Sequence, residues 1–134
     1  MRDEVEIDTL VRVFFAAFNN RDGAPALDTL PTLFTAGAQI AKCVGGTPEI
    51  YSVASFIEPR RALLTGGQLT AFAEAETSGQ TTIAGHIAQR LSRYEKSGQL
   101  NGAAFRGTGT KTFQFIKTEA GWRIFSVAWD DDPS

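Results

Sequence analysis

Three features of this sequence could do chemistry: a single histidine, a single cysteine, and a lysine inside an alternating run. His86 lies within IAGHIAQRLSRYE, Ile83 to Glu95. An imidazole titrates near neutral pH and serves as a general base if it faces an enclosed volume. Lys111 follows Gly107 and Gly109 and precedes Phe113 and Phe115 at two-residue steps. A lysine pointing inward costs heavily unless paired or solvated. In a cavity its ammonium could polarise a substrate, exchange a proton or hold a ligand. The alternative is that it snorkels to an open end and pairs with Asp131, Asp132 or another acid. Cys43 would need an activating histidine reaching across a sheet, so it reads as a small buried hydrophobe. No histidine–cysteine–acid cluster has metal-ligand spacing, so no metal site is expected. No phosphate-cradling loop precedes a helix and no dinucleotide fingerprint occurs, so no cofactor is expected. GTGTK sits in a strand pattern and is not a P-loop.

The elements that must carry these groups follow from periodicity. Residues 3–22 read as an amphipathic helix, with Ile7, Leu10, Val11, Phe14, Phe15 and Phe18 on one stripe. Asp3 and Glu6 have capping-box spacing, and NNRDG stops the helix. A shorter helix is expected from Pro25 to Phe34, weakened by Pro31. Ala38 to Val44 alternates as a strand, and Tyr51 ends a brief extended piece. Ser55 and Glu58 suggest a third helix, with Pro59 in its first turn and Gly66–Gly67 at its end. From Leu69 the period becomes two, giving strands at about 69–78, 81–95, 103–118 and 121–130. Helices followed by an antiparallel meander make an α+β fold, one domain over residues 1–134.

If the hairpins pair odd residues with odd, the odd face is inner. Gln89, Lys111 and Trp129 then lie side by side, with Arg93 nearer the mouth, and Phe14, Phe18 and Tyr51 form the opposite wall. An apolar cavity with a few convergent polar groups is the usual form of a small-molecule site. His86, Gln114 and Ser126 fall on the outer face, which is either solvated or half of a contact between two sheets. His86 is therefore read as an interface residue rather than a catalytic base.

Composition narrows the partners. A chain of 134 residues with 43% hydrophobic and 21% charged residues suits one globular domain. A formal net charge of −2 offers no footprint for nucleic acid. No apolar run approaches the roughly 20 residues needed to span a bilayer. The lone cysteine and the charged opening MRDEVEID point to the cytoplasm.

Four stretches carry a resemblance: VRVFFAAFNNRDG, FIEPRRALLTGG, GHIAQRLSRYE and RGTGTKTFQFIKTEAGWRIFSVAWDDD. Together they resemble the nuclear transport factor 2-like superfamily, in particular its SnoaL-like branch of uncharacterised and polyketide-cyclase-related proteins. The resemblance implies a cystatin-like cone, a curved antiparallel sheet wrapped around an N-terminal helix with a cavity at one end. It also implies a homodimer packed through the sheets. Fold alone does not assign chemistry.

The enzyme patterns of that superfamily are not met. The ketosteroid-isomerase pattern wants an aspartate base and a tyrosine, where this chain has Gln39, Ala41, Cys43, Phe14 and Phe15. The scytalone-dehydratase pattern wants two histidines. The epoxide-hydrolase pattern wants two inward acids with an arginine, and only Arg93 with Asp131 suggests itself. A polyketide cyclase needs an inward base, for which Glu49 or the DDD tail is a loose candidate. Three readings remain: a dimeric domain binding a small hydrophobic molecule, an isomerase, dehydratase or cyclase on an apolar cyclic substrate, or an interaction module with a collapsed interior.

Overall fold

The acids of the first helix anchor it to the sheet. In the computed structural model, which describes residues 2–133, α1 spans Arg2–Ala16. It buries Ile7, Leu10, Val11, Phe14 and Phe15 along one stripe. Asp3 and Glu6 do not form a capping box. Asp3 accepts from the Trp122 indole at 3.0 Å, and Glu6 accepts from the Trp122 amide at 2.8 Å. Asp8 meets Arg90 at 2.6 Å.

α1 ends six residues before the expected position. Asn20 is the reason: its side-chain amide donates to the carbonyls of Leu64 at 3.0 Å and Leu69 at 2.7 Å. Its side-chain oxygen accepts from the Phe72 amide at 2.7 Å. Such side-chain bonds compete with helical ones. The expected second helix is a 3-10 helix, Leu27–Leu33. Leu27, Leu30 and Leu33 are buried at spacings of three, the period of that helix, and Pro31 is accommodated within it.

β1 (Phe34–Lys42) and β2 (Glu49–Ser52) follow, then α2 (Val53–Thr65). The capping box of α2 is Ser52 with Ser55, not Ser55 with Glu58, so Pro59 lies inside the helix rather than in its first turn. Four long strands complete the chain: β3 (Leu69–Ala84), β4 (Ile87–Leu100), β5 (Ala103–Thr118) and β6 (Gly121–Asp131). The sheet order is β2-β1-β6-β5-β4-β3. Every neighbouring pair is antiparallel except β1 with β6, which is parallel.

The first long hairpin turns at Gly85–His86, not at the break expected between the strands at about 69–78 and 81–95. Ser78 and Gly79 sit inside β3, beside a bulge between Glu76 and Ser78. Gly85 has φ +63°, as the first position of a type II′ turn requires. The next hairpin turns at Asn101–Gly102, with φ +52° and +84°. Two-residue turns pair residue i with i+3, so odd residues meet even ones: Leu100 faces Ala103, and Ser92 faces Lys111. In β4 the inner set is consequently Ala88, Arg90, Ser92, Tyr94 and Lys96, and Gln89, Leu91 and Arg93 are outer. Inner β3 residues are Phe72, Glu74 and Glu76 rather than the alanines between them. A bulge in β6 then breaks the pairing between Gln114 and Phe115. It turns Phe125 outward while Ile124, Val127 and Trp129 keep the inner face. Among the described residues no helix is long and apolar enough to cross a membrane.

Asn20→Ala should cost about 2–4 kcal/mol, because one donor and two acceptors of the buried backbone lose their partner. Urea unfolding followed by tryptophan fluorescence measures it, and a loss under 0.5 kcal/mol would contradict this role.

Candidate functional site

The concave face of the sheet does not pack completely against the helices. A cavity of about 510 Å³ remains, bounded by α1, α2, β1, β2 and the inner faces of β3 to β6. α1 contributes Phe14 and, just beyond its end, Phe18. α2 contributes Phe56, Pro59, Arg60, Leu63 and Leu64, a stripe at three- and four-residue spacing. Tyr51 and Lys42 come from β2 and β1. The sheet supplies Phe72, Glu74, Lys96, Phe105, Lys111, Trp129 and Asp131 among others.

Lys111 and Glu74 lie on the sheet wall, with side chains 6% and 9% exposed and 3.5 Å between Nζ and Oε2. The Lys111 ammonium is also 4.3 Å from the Tyr94 ring centre, 4.9 Å from that of Trp129 and 5.7 Å from that of Phe15. Aromatic faces attract a cation, and more strongly where water is excluded. Burial pushes the lysine below its ordinary proton affinity, and the Glu74 carboxylate offsets part of that. Lys111 does not snorkel to Asp131 or Asp132. Those acids are engaged elsewhere, and its partner is Glu74.

A second charged group adjoins the first. Asp131 accepts from the Tyr94 hydroxyl at 2.5 Å and from Lys96 at 2.8 Å. Burial disfavours the Asp131 charge, but the bonds from Lys96 and Tyr94 outweigh it and hold the carboxyl below its ordinary range. Burial and the adjacent Asp131 carboxylate push the Tyr94 phenol up, so it stays neutral and donates. Gly109 has a packing reason: the Tyr94 ring and hydroxyl occupy the space a side chain there would need.

Of the residues singled out from sequence, Phe14, Phe18, Tyr51, Lys111 and Trp129 lie together on the cavity wall. Lys111 does pair with Trp129 across β5 and β6. Gln89 and Arg93 do not reach the cavity, because the two-residue turn puts odd positions of β4 on the outer face. Gln89 faces Gln114 there. Arg93 binds Asp132 at 2.5 Å and Thr110 at 2.8 Å, and the Asp132 carboxyl is held down to about 2 by Arg93 and then Thr108. His86 is an exposed turn residue rather than a member of the outer strand face. Gln114 and Ser126 do lie on that face, paired with each other.

Lys42, Arg60, Glu74 and Lys96 are polar groups of the cavity wall that sequence reasoning missed, and Asp131, expected to pair with Lys111 or Arg93, pairs with Lys96 there instead. Two signals could have found them. Asn101–Gly102 is a strong two-residue hairpin signal and fixes the parity of β4. Arg60 occupies a position of the α2 stripe otherwise taken by Phe56, Leu63 and Leu64. Among the described residues no three histidine, cysteine, aspartate or glutamate side chains converge to hold a metal ion.

An α+β fold with a curved open sheet over an N-terminal helix and a cavity at their junction is the nuclear transport factor 2-like, cystatin-like fold, and solved structures bear this out. A protein from Kribbella flavida superposes with a TM-score of 0.80 at 19% identity, over 98% of this chain and 92% of that one. A nuclear transport factor 2-like protein with a cystatin-like fold from Novosphingobium aromaticivorans gives 0.75 at 20% identity, over 99% and 84%. Another from that organism, provisionally named an aromatic ring hydroxylase, gives 0.79 at 20% identity, over 99% and 91%. These likenesses define the fold and not the chemistry. No family model and no curated protein matches the chain.

The Glu74–Lys111 pair makes a testable energetic claim. Lys111→Met leaves a buried carboxylate alone and should cost about 3 kcal/mol, whereas Lys111→Met with Glu74→Leu should recover most of it. Additive losses in a urea double-mutant cycle would show that the two groups are not coupled.

Proposed function

We propose that this chain is a small-molecule-binding domain, with its ligand in the cavity between the sheet and the N-terminal helix. The single observation that carries the reading is that cavity. Its size falls within the roughly 300–1,000 Å³ of small-molecule sites, its walls are mainly aromatic and aliphatic, and a few charged groups converge on it. A collapsed interior, as in a pure interaction module, would leave no such volume. The SnoaL-like character of the sequence and a cytoplasmic location belong to the same proposal.

A thermal-shift screen against small hydrophobic acids, ketones, steroids and aromatic polyketides tests it. A ligand at ~100 times its Kd should stabilise the fold by about 2.7 kcal/mol. No shift across the panel would overturn the reading and favour an interaction module.

One observation favours a second reading, an isomerase, dehydratase or cyclase on an apolar cyclic substrate. Glu74 and Lys111 are a carboxylate and an ammonium in contact on the cavity wall. In that reading Glu74 takes a proton from carbon while Lys111 polarises the adjacent carbonyl. Binding without turnover tolerates Glu74→Gln, whereas proton transfer does not.

The reading also includes a homodimer associated through the outer sheet face. Ile87, Leu91 and Phe125 are 61%, 51% and 50% exposed there. A shallow depression that includes Leu91 is lined otherwise by Gln80, Thr82, Gln89, Arg90, Thr112, Phe113 and Gln114. Single exposed apolar residues are ordinary, but several of them beside mostly uncharged polar groups suit a partner sheet. Leu91→Lys should convert the dimer to monomer in sedimentation. A sedimentation coefficient unchanged by the substitution would contradict this surface.

A further inference from the structure

The charges around the cavity do not cancel. Lys111 is matched by Glu74 and Lys96 by Asp131, whereas among the described residues Arg60 and Lys42, also on the wall, have no carboxylate within ion-pair distance. Among the described residues no carboxylate lies within 4.0 Å of the Arg60 guanidinium, whose hydrogen bond is to the Phe56 carbonyl at 3.0 Å. The neighbouring acid, Glu49, is exposed and accepts from the Tyr51 hydroxyl at 3.3 Å.

The setting of Arg60 is specific. Its guanidinium carbon is 3.8 Å from the Phe56 ring centre and 5.5 Å from those of Tyr51 and Trp129. Stacking occupies the faces of a guanidinium, while hydrogen bonds form along its in-plane edge, which carries five N–H groups. Packing therefore accounts for the faces and leaves most of the edge without an acidic partner. Burial disfavours this charge, and the Tyr51 hydroxyl and Glu49 support it only in part. A planar anion with two equivalent oxygens fits that edge in bidentate fashion.

We propose that Arg60 anchors the carboxylate of an aromatic or alicyclic acid, whose apolar body lies among Phe14, Phe18, Phe72, Leu100 and Phe105. This rests on the cavity being a ligand site, as proposed above. Lys42 adds a second positive charge to the same wall, and the two ion pairs on the sheet side leave no surplus negative charge to repel the acid. Neutral analogues of the same shape lose the fork and bind less tightly.

The test is titration calorimetry with matched acid and amide pairs: 2-naphthoate with 2-naphthamide, indole-3-acetate with indole-3-acetamide, and cinnamate with cinnamamide. At least one acid should bind tenfold or more tightly than its amide. Arg60→Gln should abolish that preference by weakening the acid tenfold or more relative to the amide, and Arg60→Lys, which keeps the charge without the fork, should retain part of it. Circular dichroism confirms that both variants fold. Equal binding of acids and amides, or a preference that survives Arg60→Gln, overturns the assignment and leaves the cavity as a ligand site intact. If none of the six probes binds, the assignment fails, while hits among the uncharged ketones and steroids of the thermal-shift panel would still uphold the cavity.

Discussion

The register set by two short turns decides which side chains face the cavity. Gly85–His86 and Asn101–Gly102 each close a hairpin with two residues, so β3, β4 and β5 meet odd against even. One residue more or less in either turn would exchange the faces of a whole strand. Tyr94 and Lys96 would then point outward, and Gln89 and Arg93 inward. The paired charges of the cavity would be lost, and α1 would meet a different surface. The bulge in β6 is part of the same constraint. It turns Phe125 outward and lets Ile124 and Val127 both face the core.

Given that register, the interior becomes a compromise between packing and polarity. The apolar half of the space between sheet and helices is filled by Ile7, Phe14, Phe113, Phe115, Trp122 and Ile124. The other half stays open because charged side chains hold its wall. Lys111 is enclosed by aromatic rings and by Glu74, and Asp131 is held between Tyr94 and Lys96. Charges as deeply buried as Lys111 are costly unless matched, and Glu74 supplies that match. In the proposed reading, a largely apolar recess with charges held in fixed pairs favours one orientation of a ligand.

Much of this was legible in the chain. The stripe of α1 and the approximate places of β5 and β6 follow from period, and Lys111 beside Trp129 follows from like-with-like pairing, which holds between β5 and β6 there but not between β4 and β5. The failures have physical causes. Asn20 ends α1 through side-chain bonds to Leu64, Leu69 and Phe72, residues far away in sequence. Leu27, Leu30 and Leu33 suit both helix types at their spacing, and the tighter one forms. Ile83, Ile87 and Leu91 at four-residue steps predict an inner odd face, which would also carry Gln89 and Arg93. In the fold Ile87 and Leu91 are exposed, and the polar set Arg90, Ser92, Tyr94 and Lys96 faces in. Hydrophobicity misleads in a strand whose inner face lines a charged recess and whose outer face carries apolar residues. Arg60 was overlooked for a similar reason, as a charge within an apolar helical stripe.

The enclosed Lys111 depends on all of these features at once, so its titration is the most direct measurement. With carbon-13 label on lysine side chains and Lys111→Arg to assign the signal, the Cε resonance can be followed against pH. Burial in the aromatic enclosure is expected to make Lys111 lose its proton below the ordinary 10.5, and Glu74→Gln should lower that midpoint further by removing the compensating charge. A midpoint at or above 10.5, unmoved by Glu74→Gln, would mean a solvated lysine and would contradict the inner face described for the sheet.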